Sequence, residues 1–358
     1  MPENNVFQNS GKFPFYRPRR MRENEVLRRL VRETFFSLDQ LIMPYFVVEG
    51  RGVKEEIQTM PGQYRFSTDQ FCLEVEELLE LGIQAILLFG VPARKDEQAT
   101  AAWDKDGIVQ RAVRELKRRF PGLLVITDVC LCAYMTHGHC GVINANGEID
   151  NDRSLRILTE VALSYAEAGA DMVAPSDMMD GRIRAIRNGF DQKGFQNLPI
   201  LSYAAKYASA FYSPFRDAAH SAPQPGGLPL EGSVIPATRQ SYQMDPPNRD
   251  EALREIALDI EEGADMVMIK PALAYLDVIR EAAVTFRFPL AAYAVSGEYA
   301  MVKAAHEKGM IDEEKMVLEM MTSFFRAGAN TVITYYAKQI AAWQKSQQSQ
   351  GFQRILTS

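Results

Sequence analysis

Short apolar runs alternate along the chain with longer stretches in which apolar residues recur every three or four positions. The runs are LIMPYFVV (41–48), AILLFG (85–90), LLVITDV (123–129), MVAPS (172–176), PILSY (199–203), MVMIK (266–270), LAAYAVS (290–296) and TVITYY (331–336). Apolarity that is continuous rather than alternating marks strands covered on both faces, as in parallel sheets. Helical patterns lie between most of them, at 69–81, 107–119, 152–168, 251–262, 274–285 and 312–327. The join from helix to strand repeats itself, as GADMV at 169–173 and 263–267, GANTV at 328–332 and, more loosely, GIQAI at 82–86. A glycine closing a helix, a short polar link and then a strand is the αβ connection of parallel α/β folds. Eight such strands with intervening helices predict an α/β fold of the closed (β/α)8 TIM-barrel type. A doubly wound open sheet is the alternative, but no Gly-x-Gly-x-x-Gly loop accompanies it.

Three segments escape the pattern. Residues 1–36 are polar and arginine-rich and predict an N-terminal arm that packs on a neighbour, ahead of a catalytic barrel spanning 37–344. Residues 221–250 form the longest stretch without periodicity, and a loop of that length at a barrel mouth predicts an active-site lid. The polar segment 345–358 is expected to be a frayed tail. The 358 residues are 47% hydrophobic and 24% charged with a net charge of −6, the balance of a soluble globular protein. That charge gives no footing for a nucleic-acid or anionic-membrane surface, and the basic run at 17–20 is too short to supply one. No apolar run reaches spanning length and the first residues lack a signal-peptide core, so the expected location is cytoplasmic.

Candidate chemistry gathers at the strand ends, where this fold places its catalytic groups. Lys270 terminates the buried run MVMIK, and Lys206 follows the neighbouring run in SYAAKYASAFY. Two ammonium groups on adjacent strands in an apolar mouth repel each other, so at least one pKa falls and an amine nucleophile results. Each lysine alone has a plainer reading, a side chain reaching past the strand end to solvent. Behind the third strand, Cys130, Cys132 and Cys140 supply three soft ligands from one loop, which suits zinc with an open fourth position. His137 or His139 closing that position would make the metal structural instead. Asp177 in APSDMMDGR is a candidate for orienting a lysine or moving a proton, whereas Asp180 reads better as a helix cap. Arg216 and Arg239 suit a carboxylate, as do the hydroxyls of Ser296 and Tyr335.

The segments DVCLCAYMTHGHCG, SYAAKYASAFYSPFRDAA, MVMIKPA and YAVSGEYAM, in this order and with LIMPYFVVEG, APSDMMDGR and RAGANTVITYY around them, resemble the porphobilinogen synthase (5-aminolevulinate dehydratase) family along nearly the whole chain. The resemblance implies a hydro-lyase of tetrapyrrole (heme) biosynthesis that condenses two molecules of 5-aminolevulinate to porphobilinogen, assembled as a homo-octamer. It further implies Lys270 as the Schiff-base lysine, Lys206 as its companion, and Cys130, Cys132 and Cys140 as a catalytic zinc site. Ser296 and Tyr335 match the carboxylate ligands of the first substrate, and Arg216, Arg239 and Gln243 those of the second. Asp128, Asp177 and Tyr212 complete the substrate-binding set. Glu255 matches a position that holds an allosteric magnesium in many relatives. Ser213 stands where the family usually has glycine, and the segment 221–250 is longer than usual. A Schiff-base aldolase with structural zinc and a non-catalytic assembly or metal-storage barrel are the rival readings. Neither would need both lysines and an open metal site.

Overall fold

The computed structural model describes residues 13–14, 16–224 and 235–356, the last ten of these as helical backbone only. The chain divides into two compact units, 1–36 and 37–358. In the first, a 3-10 turn (Pro18–Arg22) precedes a short helix (Glu25–Leu30) whose start is capped by Asn24, which accepts the Leu27 N–H at 3.0 Å. Val26 and Leu30 on that helix are about three-quarters exposed.

The second unit holds eight parallel strands: β1 (Leu41–Val48), β2 (Ala85–Val91), β3 (Leu124–Val129), β4 (Met172–Pro175), β5 (Leu201–Lys206), β6 (Met266–Lys270), β7 (Leu290–Ala294) and β8 (Thr331–Thr334). They pair in the order β4-β3-β2-β1-β8-β7-β6-β5, and a parallel bridge from Val173 to Ile200 brings the two ends together. The barrel expectation is met. The strands are buried nearly throughout, as continuous apolar runs require.

Helices α1 (Thr68–Glu80), α2 (Ile108–Arg119), α3 (Asn151–Ala168), α4 (Arg182–Lys193), α5 (Ser213–Ala218), α6 (Arg249–Glu262), α7 (Leu276–Phe286), α8 (Ser296–Glu307), α9 (Glu313–Ala327) and α10 (Ala337–Leu356) connect or follow the strands. Helices α3 and α6 end on Gly169 and Gly263, both in the left-handed region. Three details depart from expectation. Helix α4 opens after Gly181, not after an aspartate cap: Asp180 spends its backbone N–H on Asn151 Oδ1 at 2.8 Å. The chain beyond 345, expected to be frayed, continues α10 as helical backbone to Leu356. Strand β5 runs on to Lys206, so this lysine lies inside the strand and not beyond it.

The β5–β6 ladder contains one irregularity. Val267 pairs with Ser202, yet Ile269 pairs with Ala205 and Lys270 with Lys206, so β5 carries one residue more than β6 between those rungs. Behind this ladder, Arg182 makes a two-pronged pair with Asp259 of α6, at 2.8 and 2.7 Å, and both side chains are 2% exposed. Ser202 joins the same carboxylate. No described helix is long and apolar enough to cross a membrane.

Candidate active site

Lys206 and Lys270 stand side by side at the C-terminal end of the barrel, each 5% exposed. The Lys206 ammonium donates to the Ser176 carbonyl at the end of β4. The Lys270 nitrogen sits in a cage of rings, 4.2 Å from the centre of Tyr293, 5.0 Å from Phe215, 5.1 Å from Tyr203 and 5.3 Å from Tyr212. Burial pushes Lys270 down to about 7, and the charge of Lys206 adds to it. An amine with that pKa is substantially neutral near pH 7, the requirement for a nucleophile. The Lys270 carbonyl accepts from Tyr212 Oη at 3.1 Å and from the Tyr207 N–H at 3.0 Å, so its backbone is fixed as well.

Asp128 near the end of β3 is half-buried, and burial raises its carboxyl to about 7 against the attraction of Lys206. Asp177 is fully buried. Its Oδ1 accepts the Met179 N–H at 2.8 Å, its Oδ2 has no partner among the described residues, and burial raises its pKa against the pull of Arg182.

The three thiols of Cys130, Cys132 and Cys140 lie buried with their sulfurs within 4.8 Å of one another. Sulfurs around a tetrahedral zinc at about 2.3 Å stand about 3.8 Å apart, so the cluster fits such an ion with little adjustment. Hydrogen bonds from Cys130 and Cys140 hold Cys132 towards the thiolate, aided by Arg239 and Lys206. Burial opposes the charge of Arg239, which is 4% exposed, and the nearby Cys140 and Cys132 sulfurs favour it. Among the described residues no histidine or carboxylate joins the three. His139 is otherwise engaged, its Nε2 donating to the Pro236 carbonyl at 2.8 Å and its Nδ1 facing Tyr242 Oη at 3.1 Å. Burial lowers His137 to about 4, and its Nδ1 accepts the His139 N–H. Among the described residues the cluster therefore offers a metal ion three ligands.

Of the expected lid, residues 225–234 lie outside the described residues. The part that follows is built onto β5: Met244 N–H donates to the Lys206 carbonyl at 3.1 Å, and Ala208 N–H to that of Met244 at 2.8 Å. This attachment brings Arg239 and Gln243 to the mouth. Arg239 Nη2 donates to the carbonyls of Gly138 and Ser221 at 2.9 and 2.5 Å. Gly138 lies at φ +72°, and a Cβ there would stand 2.5 Å from the Ala222 carbonyl oxygen, so the cysteine loop and the 221–222 segment meet through a glycine. Both polar atoms of Gln243 and the Nε atoms of Arg216 and Arg239 are buried without a partner among the described residues. Burying such groups unpaired is costly.

On the other side, Ser296 opens α8, where its Oγ accepts the Phe215 N–H at 3.0 Å and donates to the Phe211 carbonyl at 3.3 Å. Tyr335 Oη meets Tyr293 Oη at 3.2 Å. Glu255 lies on α6 and shares its cleft with Tyr242 and Gln243. It lines a polar cleft of about 360 Å³ with Asp180 and Glu251, its carboxyl raised by burial, and it joins no group of three candidate ligands among the described residues. Tyr203, Tyr293, Phe215 and Tyr242 belong to the site and were not anticipated. Alternation along β5 and β7 is the signal that could have turned the two strand tyrosines inward.

The delta-aminolevulinic acid dehydratase family profile matches residues 15–343. A delta-aminolevulinic acid dehydratase of Halalkalibacterium halodurans is 53% identical over 329 residues, covering 92% of this chain and 97% of the relative. One of Synechocystis sp. is 52% identical over 334 residues, covering 92% and 99%. Among solved structures, the delta-aminolevulinic acid dehydratase (porphobilinogen synthase) from Toxoplasma gondii ME49 in complex with the reaction product porphobilinogen superposes with a TM-score of 0.87. It is 46% identical and the match covers 92% of this chain and 91% of that one.

Proposed function

The chain belongs to the delta-aminolevulinic acid dehydratase family, and we propose that its reaction, the condensation of two 5-aminolevulinate molecules to porphobilinogen with loss of water, runs through an imine on Lys270. The observation that carries this reading is the pair of adjacent buried lysines, one with its pKa near neutrality. The neutral Lys270 amine adds to the ketone of the first substrate, and the resulting hydroxyl leaves as water once it takes up a proton. Lys206, on the same rung, is placed to give that proton. The ring cage excludes water from the iminium and faces its charge with four π-systems.

Ser296 and Tyr335 are assigned to the carboxylate of the first substrate through their hydroxyls. Arg216, Arg239 and Gln243, whose buried atoms lack partners, are assigned to that of the second. Holding two carboxylates so fixes two substrates in one orientation, a large entropic share of any bimolecular rate. Asp128, Asp177 and Tyr212 line the space between. A zinc ion on Cys130, Cys132 and Cys140 would supply Lewis acidity to the second substrate's carbonyl or amine. Magnesium at Glu255 would have to be held largely through its own waters, as that ion often is. The exposed apolar residues Val26, Leu30 and Phe35 of the arm support assembly into a homo-oligomer, the octamer being the expected form. A cytoplasmic location accords with cysteines that stand as free thiols.

The test is turnover of 5-aminolevulinate by the purified protein, combined with borohydride trapping. An adduct mapped to the peptide containing Lys270, and lost in Lys270→Ala with the turnover, is the expected result. Full turnover in that variant would refute the imine.

A further inference from the structure

Glu298 lies in the first turn of α8 and is 1% exposed, without a cation bonded to its carboxylate among the described residues. Its Oε1 accepts the Leu273 N–H at 2.5 Å, and its Oε2 accepts the Val295 N–H. The Val295 bond is ordinary for a residue three places into a helix. The Leu273 bond is not, because it reaches back 25 positions to the loop that leaves β6 directly after Lys270. Capping α8 alone needs one acceptor. Burying a carboxylate is costly, and what the second oxygen adds is a tie between two strand ends.

The tie closes a circuit. From Glu298 it runs through Leu273 to Lys270, whose carbonyl accepts from Tyr212 Oη. Tyr212 lies beside Phe211, the residue whose carbonyl accepts from Ser296 Oγ, and Ser296 stands two residues before Glu298. Burial pushes the Glu298 carboxyl up to about 8, while the N–H groups of Leu273, Val295 and Ala272 pull the other way.

We infer that Glu298 is a positioning residue for the imine-forming lysine, fixing the loop after Lys270 against the first turn of α8 so that the Lys270 amine and the Ser296 hydroxyl keep a set separation. This rests on the roles given above to Lys270 and Ser296. The first substrate spans the two groups, its ketone at one and its carboxylate at the other. Slack between them misaligns attack, and a displacement of about 1 Å can lower a rate about a hundredfold.

The experiment measures borohydride trapping of 5-aminolevulinate on Lys270 at saturating substrate, alongside KM, in full-length wild type, Glu298→Gln and Leu273→Pro. The glutamine keeps the shape but offers one accepting atom instead of two. The proline deletes the donor N–H at the first position of a 3-10 turn (Leu273–Tyr275) and leaves the carboxylate on Val295; Ala272 before it lies in the right-handed helical region, which a following proline disfavours, so Tm is read beside the rate. Glu298→Gln is expected to slow trapping roughly ten- to hundredfold per folded molecule and to raise KM, with its far-UV CD spectrum retained. Leu273→Pro is expected to slow trapping in the same direction by a smaller factor. Wild-type trapping rates in both variants, with only a lowered Tm, would overturn the inference and leave Glu298 a helix cap. Should Glu298→Gln fail to fold, a wild-type rate in Leu273→Pro overturns it alone. Absence of any adduct in the wild type would instead strike the imine assignment itself.

Discussion

Replacing Lys206 by methionine removes one charge from beside Lys270 while keeping the bulk of the side chain. Lys270 stands at about 7 against its usual 10.5, chiefly through burial and next through the repulsion of Lys206. At pH 7 about half of the Lys270 side chains carry a free pair, roughly a thousandfold more than at the usual value. Losing the repulsion raises the pKa, and the first unit regained cuts the neutral fraction at pH 7 from about a half to about a tenth. The assay is the rate of borohydride trapping of 5-aminolevulinate at saturating substrate, followed from about pH 6 to about pH 10. The wild-type rate is expected to climb through a midpoint near 7, as Lys270 loses its proton. In Lys206→Met the midpoint moves upward, so trapping at pH 7 slows, about fivefold for a rise of about one unit, and the deficit shrinks as the solution is made alkaline. A loss that persists on the alkaline plateau measures the other task given to Lys206, proton delivery. A midpoint in the variant that stays near 7 would refute the electrostatic coupling of the pair.

Four further outcomes are expected. Lys270→Met should stabilise the fold: a lysine neutral in the folded state and charged in the unfolded one opposes folding by up to about 4 kcal/mol at pH 7, an effect that fades as pH rises towards 10.5, and denaturant titration at two pH values checks it. Chelation and Cys132→Ala should each abolish turnover with the far-UV CD signal intact, because His139 and Tyr242 hold the cysteine loop by their own bonds; zinc should restore only the wild type. Gly297→Ala should cost activity and Tm together, since its Cβ would stand 2.5 to 2.9 Å from the Phe211 backbone, which adjoins Tyr212 and accepts from Ser296. Arg182→Met should lower stability by about 3–5 kcal/mol in thermal or denaturant unfolding, as it strands the buried Asp259 carboxylate.

How much could be read beforehand differs between strands, helices and site. All eight strands announced themselves, because a strand buried on both faces leaves an apolar run that few other elements produce. Helix α4 was legible only at its start, beside Asp180, and not as a periodic stretch, since Arg182, its first residue, is a charge turned inward to Asp259, which breaks the apolar stripe a helix otherwise shows. Helix α8 was hidden by its small and polar first turn, buried for reasons of the site. The two lysines and three cysteines stood out as residues too costly or too reactive to lie idle at strand ends. The ring cage did not, since an inward tyrosine is indistinguishable in sequence from ordinary core. Glu298 was invisible for a different reason: its second bond joins positions 25 apart, and nothing local marks it.

The extra residue in β5 has a consequence for strand length. Under strict alternation from the Leu201–Met266 rung, Leu201, Tyr203 and Ala205 would face the bore and Ser202, Ala204 and Lys206 the helices. Ser202 obeys, bonding Asp259 of α6, and Tyr203 obeys, its ring 5.1 Å from the Lys270 nitrogen. Lys206 does not, because the odd residue reverses the parity of everything after it. Length changes here are therefore asymmetric. Losing Ala204 would restore an even ladder and still leave a lysine opposite Lys270. Inserting one residue after Ala204 without a second bulge would turn that lysine into the helix layer.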